Sequence, residues 1–313
     1  MADVPLYPLS AMSLRRLLFL TFLLVAGSAH AQRADSLTVP GAVLYYYTYG
    51  QGAPLVILSG GPGVAAHQED DVAQRLGQHY RIILFDQRGT GRSRTTPFDS
   101  TTINLRQAVA DLDALRQHLG LKKLSLYGHS WGGMLAGAYI AAHPDRVKLF
   151  VAVGGGELDA RLSAAVSYNQ RVRRLADSTK YAYWTRYAAQ DPARSQLEIR
   201  KLNLKSTIYN PAQLAPVLAQ VTHGARSQQM SNLMWRSIRR ELQVPQPLRA
   251  YRGPTLIVYG LNDAVGLTTA PQYMQTFLHA QVQAIDQCGH WPEIEQPTAF
   301  YNAVEKFLAT HLR

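Results

Sequence analysis

The pentapeptide Gly128-His129-Ser130-Trp131-Gly132 limits what this chain can fold into more than any other stretch of it. An apolar run at 124–127 precedes it, and a stretch of small and apolar residues at 131–142 follows. Glycine on both sides of a serine, between a strand and a helix, marks a sharp turn whose strained backbone leaves no room for flanking side chains. Such a turn lifts the Ser130 hydroxyl clear of the chain, at the positive end of the following helix.

The rest of the sequence supplies the sheet such a turn requires. Short β-branched or Leu-rich runs predict strands at 43–49, 55–59, 81–85, 123–127, 149–153, 255–259 and 281–285, and helical spacing predicts helices at 103–119, 131–142 and 298–312. This βαβ rhythm implies an α/β protein with a mostly parallel sheet covered on both faces. Between residues 157 and 245 the rhythm stops. That segment is rich in Arg, Gln, Ala and Tyr, and it carries fourteen Lys/Arg against six Asp/Glu. It reads as a helical cap inserted into a core made of residues 32–156 and 246–313.

Composition closes off several alternatives. With 313 residues, 47% hydrophobic and 17% charged, the chain has ample material for a core and too little charge for wholesale disorder. The formal charge of +11 biases non-specific association toward anionic partners. No nucleic-acid-binding signature accompanies it, and the basic residues are spread along the chain, so no nucleic-acid partner is expected. A single cysteine, Cys288, excludes an intramolecular disulfide and a zinc site built on paired thiolates. Nothing in the sequence speaks to oligomeric state.

The first 31 residues read as an address. Arg15 and Arg16 precede a ten-residue apolar run at 17–26, and Ala29-His30-Ala31 provides the small-residue ending of an export signal. Cleavage after Ala31 leaves Gln32 first and the protein periplasmic or secreted. The alternative is an uncleaved anchor, although the run is shorter than the roughly 20 apolar residues a spanning helix needs. Starting at Met12 rather than Met1 gives a more ordinary signal peptide.

A serine hydroxyl needs a neighbouring base, and that base needs a carboxylate to hold its tautomer. For a serine on a strand-to-helix turn, the chain order is Ser, acid, His. Asp263 sits in a loop just after the strand expected at 255–259, and His290 follows the last strand in Cys288-Gly289-His290-Trp291-Pro292. His279 precedes that strand and His311 lies in the terminal helix. Asp286 is the reserve acid; the bland reading of Asp263 is a turn-former. Gly60-Gly61-Pro62-Gly63 after the second strand offers one oxyanion donor, the Gly61 amide, and Trp131 offers another. The same glycines lack the Lys-Ser/Thr of a phosphate loop, so no cofactor or metal is expected. Asp86 and Arg88, in Asp86-Gln87-Arg88-Gly89-Thr90-Gly91-Arg92-Ser93, are expected to brace the surrounding loops, and Cys288 to be a buried neighbour of His290.

Together these four glycine-rich motifs resemble the proline iminopeptidase branch of the α/β-hydrolase superfamily, over about residues 40–155 and 250–312. The resemblance implies an α/β-hydrolase fold with an inserted cap, and release of an N-terminal residue, often proline, from a short peptide through an acyl-enzyme. It also implies cap carboxylates that hold the substrate ammonium; Glu157 and Glu198 are candidates, with Trp291 beside the site. Two departures stand out. The branch usually has His where this chain has Ser59 and Gly where it has His129, and this cap is mostly basic. An esterase, lactonase or C–C-bond hydrolase acting on a small, carboxylated substrate is therefore the second reading, and a non-catalytic ligand-binding protein on the same scaffold the third.

Overall fold

Runs such as Leu55–Leu58 or Val147–Val153 are apolar on both faces, which suits only strands covered from two sides. In the computed structural model, which describes residues 32–244 and 247–313, they lie at the centre of the sheet. The export signal read at 1–31 lies outside the described residues. In chain order the strands and helices are β1 (Arg33–Val39), β2 (Ala42–Tyr49), β3 (Pro54–Leu58), α1 (Asp70–Leu76), β4 (Arg81–Phe85), β5 (Arg94–Thr95), α2 (Leu105–His118), β6 (Leu124–His129), α3 (Trp131–Ala142) and β7 (Val147–Val153). Five helices follow: α4 (Ser163–Arg173), α5 (Ser178–Tyr187), α6 (Pro192–Lys205), α7 (Leu214–His223) and α8 (Gln228–Glu241). The chain then returns through β8 (Thr255–Gly260), α9 (Gly266–Thr276), β9 (Ala280–Ile285), α10 (Pro292–Glu295) and α11 (Pro297–His311).

The sheet runs β1-β2-β4-β3-β6-β7-β8-β9, with β5 paired to β2. From β4 to β9 every neighbour is parallel; β1 and β2 are antiparallel. Alternate residues of each strand feed opposite faces. Val56, Leu58, Leu126 and Phe150 face α2 and α3, whereas Leu55, Ile57, Tyr127 and Val151 face α1 and α11.

Two short ties close the base of the inserted helices: Val244 N donates to Leu158 O at 2.9 Å and Ala160 N to Leu242 O at 2.9 Å. Within the insertion, α8 differs from its neighbours. Met230, Met234 and Ile238 recur every four residues and bury themselves in the core that holds α2 and α3. Farther along, Leu204, Ile208 and Val217 form a separate small cluster on Trp291.

Besides the short β5 and α10, the structure adds three elements to those expected. Strand β1 was not expected: only its last residues, Leu37 and Val39, turn apolar side chains inward, too short a signal to register. The helix α9 was not expected: Thr268, Thr269 and Pro271 inside it break the helical signal, and Tyr273 and Thr276 bury its inner face. The short α1 was likewise not expected.

Candidate active site

The strands end on one edge, and the parallel sheet delivers its loops there, the usual place for a site in an open α/β sheet. Ser130 lies between β6 and α3 with φ 51° and ψ −113°. That strain is held by close backbone contacts. A Cβ on Gly128 would lie 2.5 Å from Gly132 O, and one on Gly132 would lie 2.0 Å from Leu58 O, so both positions exclude any side chain. Three hydrogen bonds fix the turn: Ser130 N to Val153 O (2.9 Å), and Gly133 N (3.0 Å) and Gly156 N (2.9 Å) to Ser130 O.

His290 Nδ1 meets Asp263 Oδ2 at 2.8 Å, with Asp263 fully buried and His290 nearly so. The other Asp263 oxygen accepts from Val265 N at 2.9 Å, which fixes the carboxylate from its far side. His290 N donates to Thr207 O at 2.7 Å, so a cap residue anchors the histidine loop. Ser130 and His290 line the same two cavities, of about 370 and 390 Å³, and Gly61 lines both. Among the described residues the Ser130 hydroxyl has no hydrogen-bond partner; serine–histidine contacts commonly tighten only when substrate arrives. Gly61 holds φ +51°, and Trp131 opens α3, where its amide has no intrahelical acceptor. The Trp131 indole donates to Gln87 Oε1 at 2.8 Å.

The remaining candidates divide. Glu157 is buried, accepts from the Ser163 hydroxyl, and lines the second cavity with Ser130. Trp291 lines the first, its indole donating to Thr207 Oγ1 at 3.2 Å. Glu198 does not reach the site: it pairs with Lys201 at 2.8 Å on the partly exposed side of α6 and lines neither cavity. Asp286, the reserve acid, is exposed and accepts from Gln287 N. Asp86 is fully buried and accepts from Ala66 N, Tyr47 Oη and Arg92 N, while Arg88 forms a two-pronged pair with Asp111. Both brace loops, as expected. Cys288 is buried, and desolvation, with Glu295 nearby, pushes its thiol well up, away from the thiolate.

Sequence reasoning missed several polar residues around the site. Behind His290 lies a buried ion pair, His129 Nδ1 to Glu69 Oε1 at 3.3 Å, and His129 Nε2 lies 3.1 Å from His290 O. Burial opposes charge on His129, but Glu69, with Glu293 beyond, outweighs it and raises its pKa to about 9. A donor to the His290 carbonyl therefore stands where the resemblance would place glycine; that departure was the one visible clue. Glu295 Oε1 accepts from Gly289 N at 2.9 Å and its other oxygen from Tyr209 N at 2.6 Å, pinning the histidine loop. Arg200 and Arg226 line the first cavity, with no local sequence signal to mark them.

Comparison with known proteins agrees with this fold. The α/β-hydrolase-fold family model matches residues 53–297. A proline iminopeptidase of Lactobacillus crispatus (strain ST1) is 26% identical over 307 residues, covering 87% of this chain and 96% of its own. A 2-hydroxy-6-oxo-2,4-heptadienoate hydrolase of Pseudomonas putida is 29% identical over 267 residues, covering 83% and 90%. Among solved structures, a proline iminopeptidase-related protein from Thermus thermophilus superposes with a TM-score of 0.67 at 20% identity, over 90% of this chain and 99% of that one.

Proposed function

The chain belongs to the α/β-hydrolase-fold family and is a hydrolase, and from that premise we propose that it is a serine aminopeptidase releasing N-terminal residues, proline among them, from short peptides. One observation carries the reading: the strained turn turns Ser130 into a cavity whose wall also holds His290, and His290 is backed by the buried Asp263 at 2.8 Å.

In this reading each step falls to a named group. Ser130 Oγ attacks the scissile carbonyl as His290 Nε2 takes its proton, and the Asp263 carboxylate steadies the imidazolium that forms. The oxyanion accepts from the amides of Gly61 and Trp131. Collapse expels the peptide amine, which takes the proton back from His290, and water then releases the acyl group by the same relay in reverse. Glu157, buried beside Ser130, meets the ammonium of the N-terminal residue. The test is a chromogenic panel: prolyl and alanyl p-nitroanilides should be hydrolysed, and Ser130→Ala should abolish both hydrolysis and labelling by a fluorophosphonate. Turnover confined to acyl esters would sink the peptidase assignment.

The second reading, a hydrolase of small carboxylated esters or ketones, is favoured by Arg200 and Arg226 in the first cavity and by the likeness to the Pseudomonas putida enzyme. Either activity is proposed to act outside the cytoplasm, on the strength of the signal read in residues 1–31; exported protein should begin at Gln32 by N-terminal sequencing, and an intact Met12 would contradict it.

A further inference from the structure

The two cavities that meet at Ser130 differ in charge. The second carries both signs, Glu157 and Arg239, beside Met134 and Trp235. The first carries Arg200 and Arg226, and no carboxylate lines it. Of the fourteen Lys and Arg side chains in the insertion, five have ion-pair or hydrogen-bond partners of their own among the described residues: Arg161 on Asp159, Lys180 and Lys205 on Asp177, Lys201 on Glu198, and Arg174 on Asn203 and the Tyr181 ring. Among the described residues Arg200 and Arg226 have no acidic partner.

The fold places Arg226 close to the reacting centre. Val64 and Arg226 form an antiparallel bridge, Ala65 N donates to Ala225 O at 2.9 Å, and Ser227 N donates to Gly63 O at 2.7 Å. The segment before α8 is thus clipped to the loop that carries the Gly61 amide. The guanidinium reaches back over that loop: Arg226 Nη1 lies 3.9 Å from where a Cβ on Gly61 would stand. Arg226 is exposed as a residue and lines the cavity, and desolvation by the protein beside it, joined by the like charge of Arg200, lowers its pKa. Two cations facing one space with no anion between them is unfavourable, and a bound carboxylate would relieve it through paired charge-assisted hydrogen bonds.

We propose that Arg226, with Arg200, forms a carboxylate-binding subsite that selects substrates carrying a free carboxylate next to the scissile bond. For a peptide, the N-terminal ammonium goes to Glu157 in one cavity and the C-terminal carboxylate of a leaving residue goes to the arginines in the other, so dipeptides are favoured over longer or capped peptides. The peptide form of the statement rests on the aminopeptidase reading; the subsite does not. The same pair would also receive the acid group of a carboxylated ester.

Two substrate pairs test it. Pro-Ala is compared with Pro-Ala amide, and the mono-p-nitrophenyl ester of glutaric acid with p-nitrophenyl butyrate, each in wild type, Arg226→Gln and Arg200→Gln. At least one pair should show a roughly tenfold or larger preference in kcat/KM for the carboxylated member, the scale of a charge-assisted hydrogen bond. That ratio should fall toward one in Arg226→Gln, with Arg226→Lys intermediate because it keeps charge but loses the planar fork. Circular dichroism melting checks that each variant is folded. Preference within the ester pair while neither peptide is cut sinks the aminopeptidase reading and leaves the subsite standing. A wild-type ratio below about ten in both pairs, or a preference undiminished in both glutamine variants, overturns the subsite.

Discussion

Ser130 holds a backbone conformation that an L-residue rarely adopts, and its neighbours make it unavoidable. Gly128 and Gly132 approach each other and Leu58 so closely that no Cβ fits at either, while Val153 O and two amides grip the serine peptide groups. Strain of this sort costs on the order of 1–3 kcal/mol and persists only where surrounding contacts over-determine it. Here it has a use: the hydroxyl is presented with its own hydrogen-bonding capacity unspent. His290 is held from both sides, by Asp263 at Nδ1 and by backbone contacts to Thr207 and His129. Replacing Ser130 or His290 by Ala is expected to lower kcat by ~10⁴–10⁶, and Asp263→Asn to be severe as well, because the wrong tautomer of His290 would be favoured. Asp286→Asn should stay within a few-fold of wild type, since that carboxylate is exposed and touches only its own turn. Steady-state kinetics on one good substrate decides this; a large loss at Asp286 with a mild one at Asp263 would move the acid.

Among the elements, α8 shows most clearly that connectivity and packing are different things. It belongs to the segment between β7 and β8, but its Met230, Met234 and Ile238 are buried with Phe85 and Leu135 in the main core, and Leu105 N donates to its Ser237 hydroxyl at 2.9 Å. Met234→Ala should therefore destabilise the whole fold by about 2–5 kcal/mol. Leu197→Ala, on the exposed side of α6, should change stability by less than about 0.5 kcal/mol. Urea denaturation measures both; a Met234→Ala protein as stable as wild type would show that α8 is detachable. The period of α8 was readable in the sequence, but a period says only that a helix has an apolar face, not which surface receives it. The central strands were legible because unbroken apolar runs leave one environment open to them. Ser130, Asp263 and His290 were legible because their order and their places at strand ends are constrained together. Arg226 and Glu69 were not: what makes them notable is a distant partner, or the lack of one, and no local pattern records that.

For the molecule as a whole, the buried charges behind the site tie stability to pH. Glu69, His129 and Glu293 are all buried, with Tyr127 Oη unpartnered among them. Burial raises Glu293, while Glu69 holds His129 protonated up to about 9 against an ordinary 6.5. A histidine raised in the folded state contributes stability that is complete below about 6.5, declines as pH rises, and is gone above about 9. The size implied is on the order of a few kcal/mol, since each tenfold gain in proton affinity on folding corresponds to about 1.4 kcal/mol. Removing one member alone would strand a buried charge, so the informative protein is the double variant Glu69→Gln/His129→Asn. Wild type should lose more unfolding free energy than the double variant between pH 6.5 and 9, in chemical denaturation at fixed salt. Surface groups titrate alike in both proteins and cancel in the difference. Equal slopes would mean that His129 is neutral when folded, and that its contact with the His290 carbonyl is made by an uncharged imidazole.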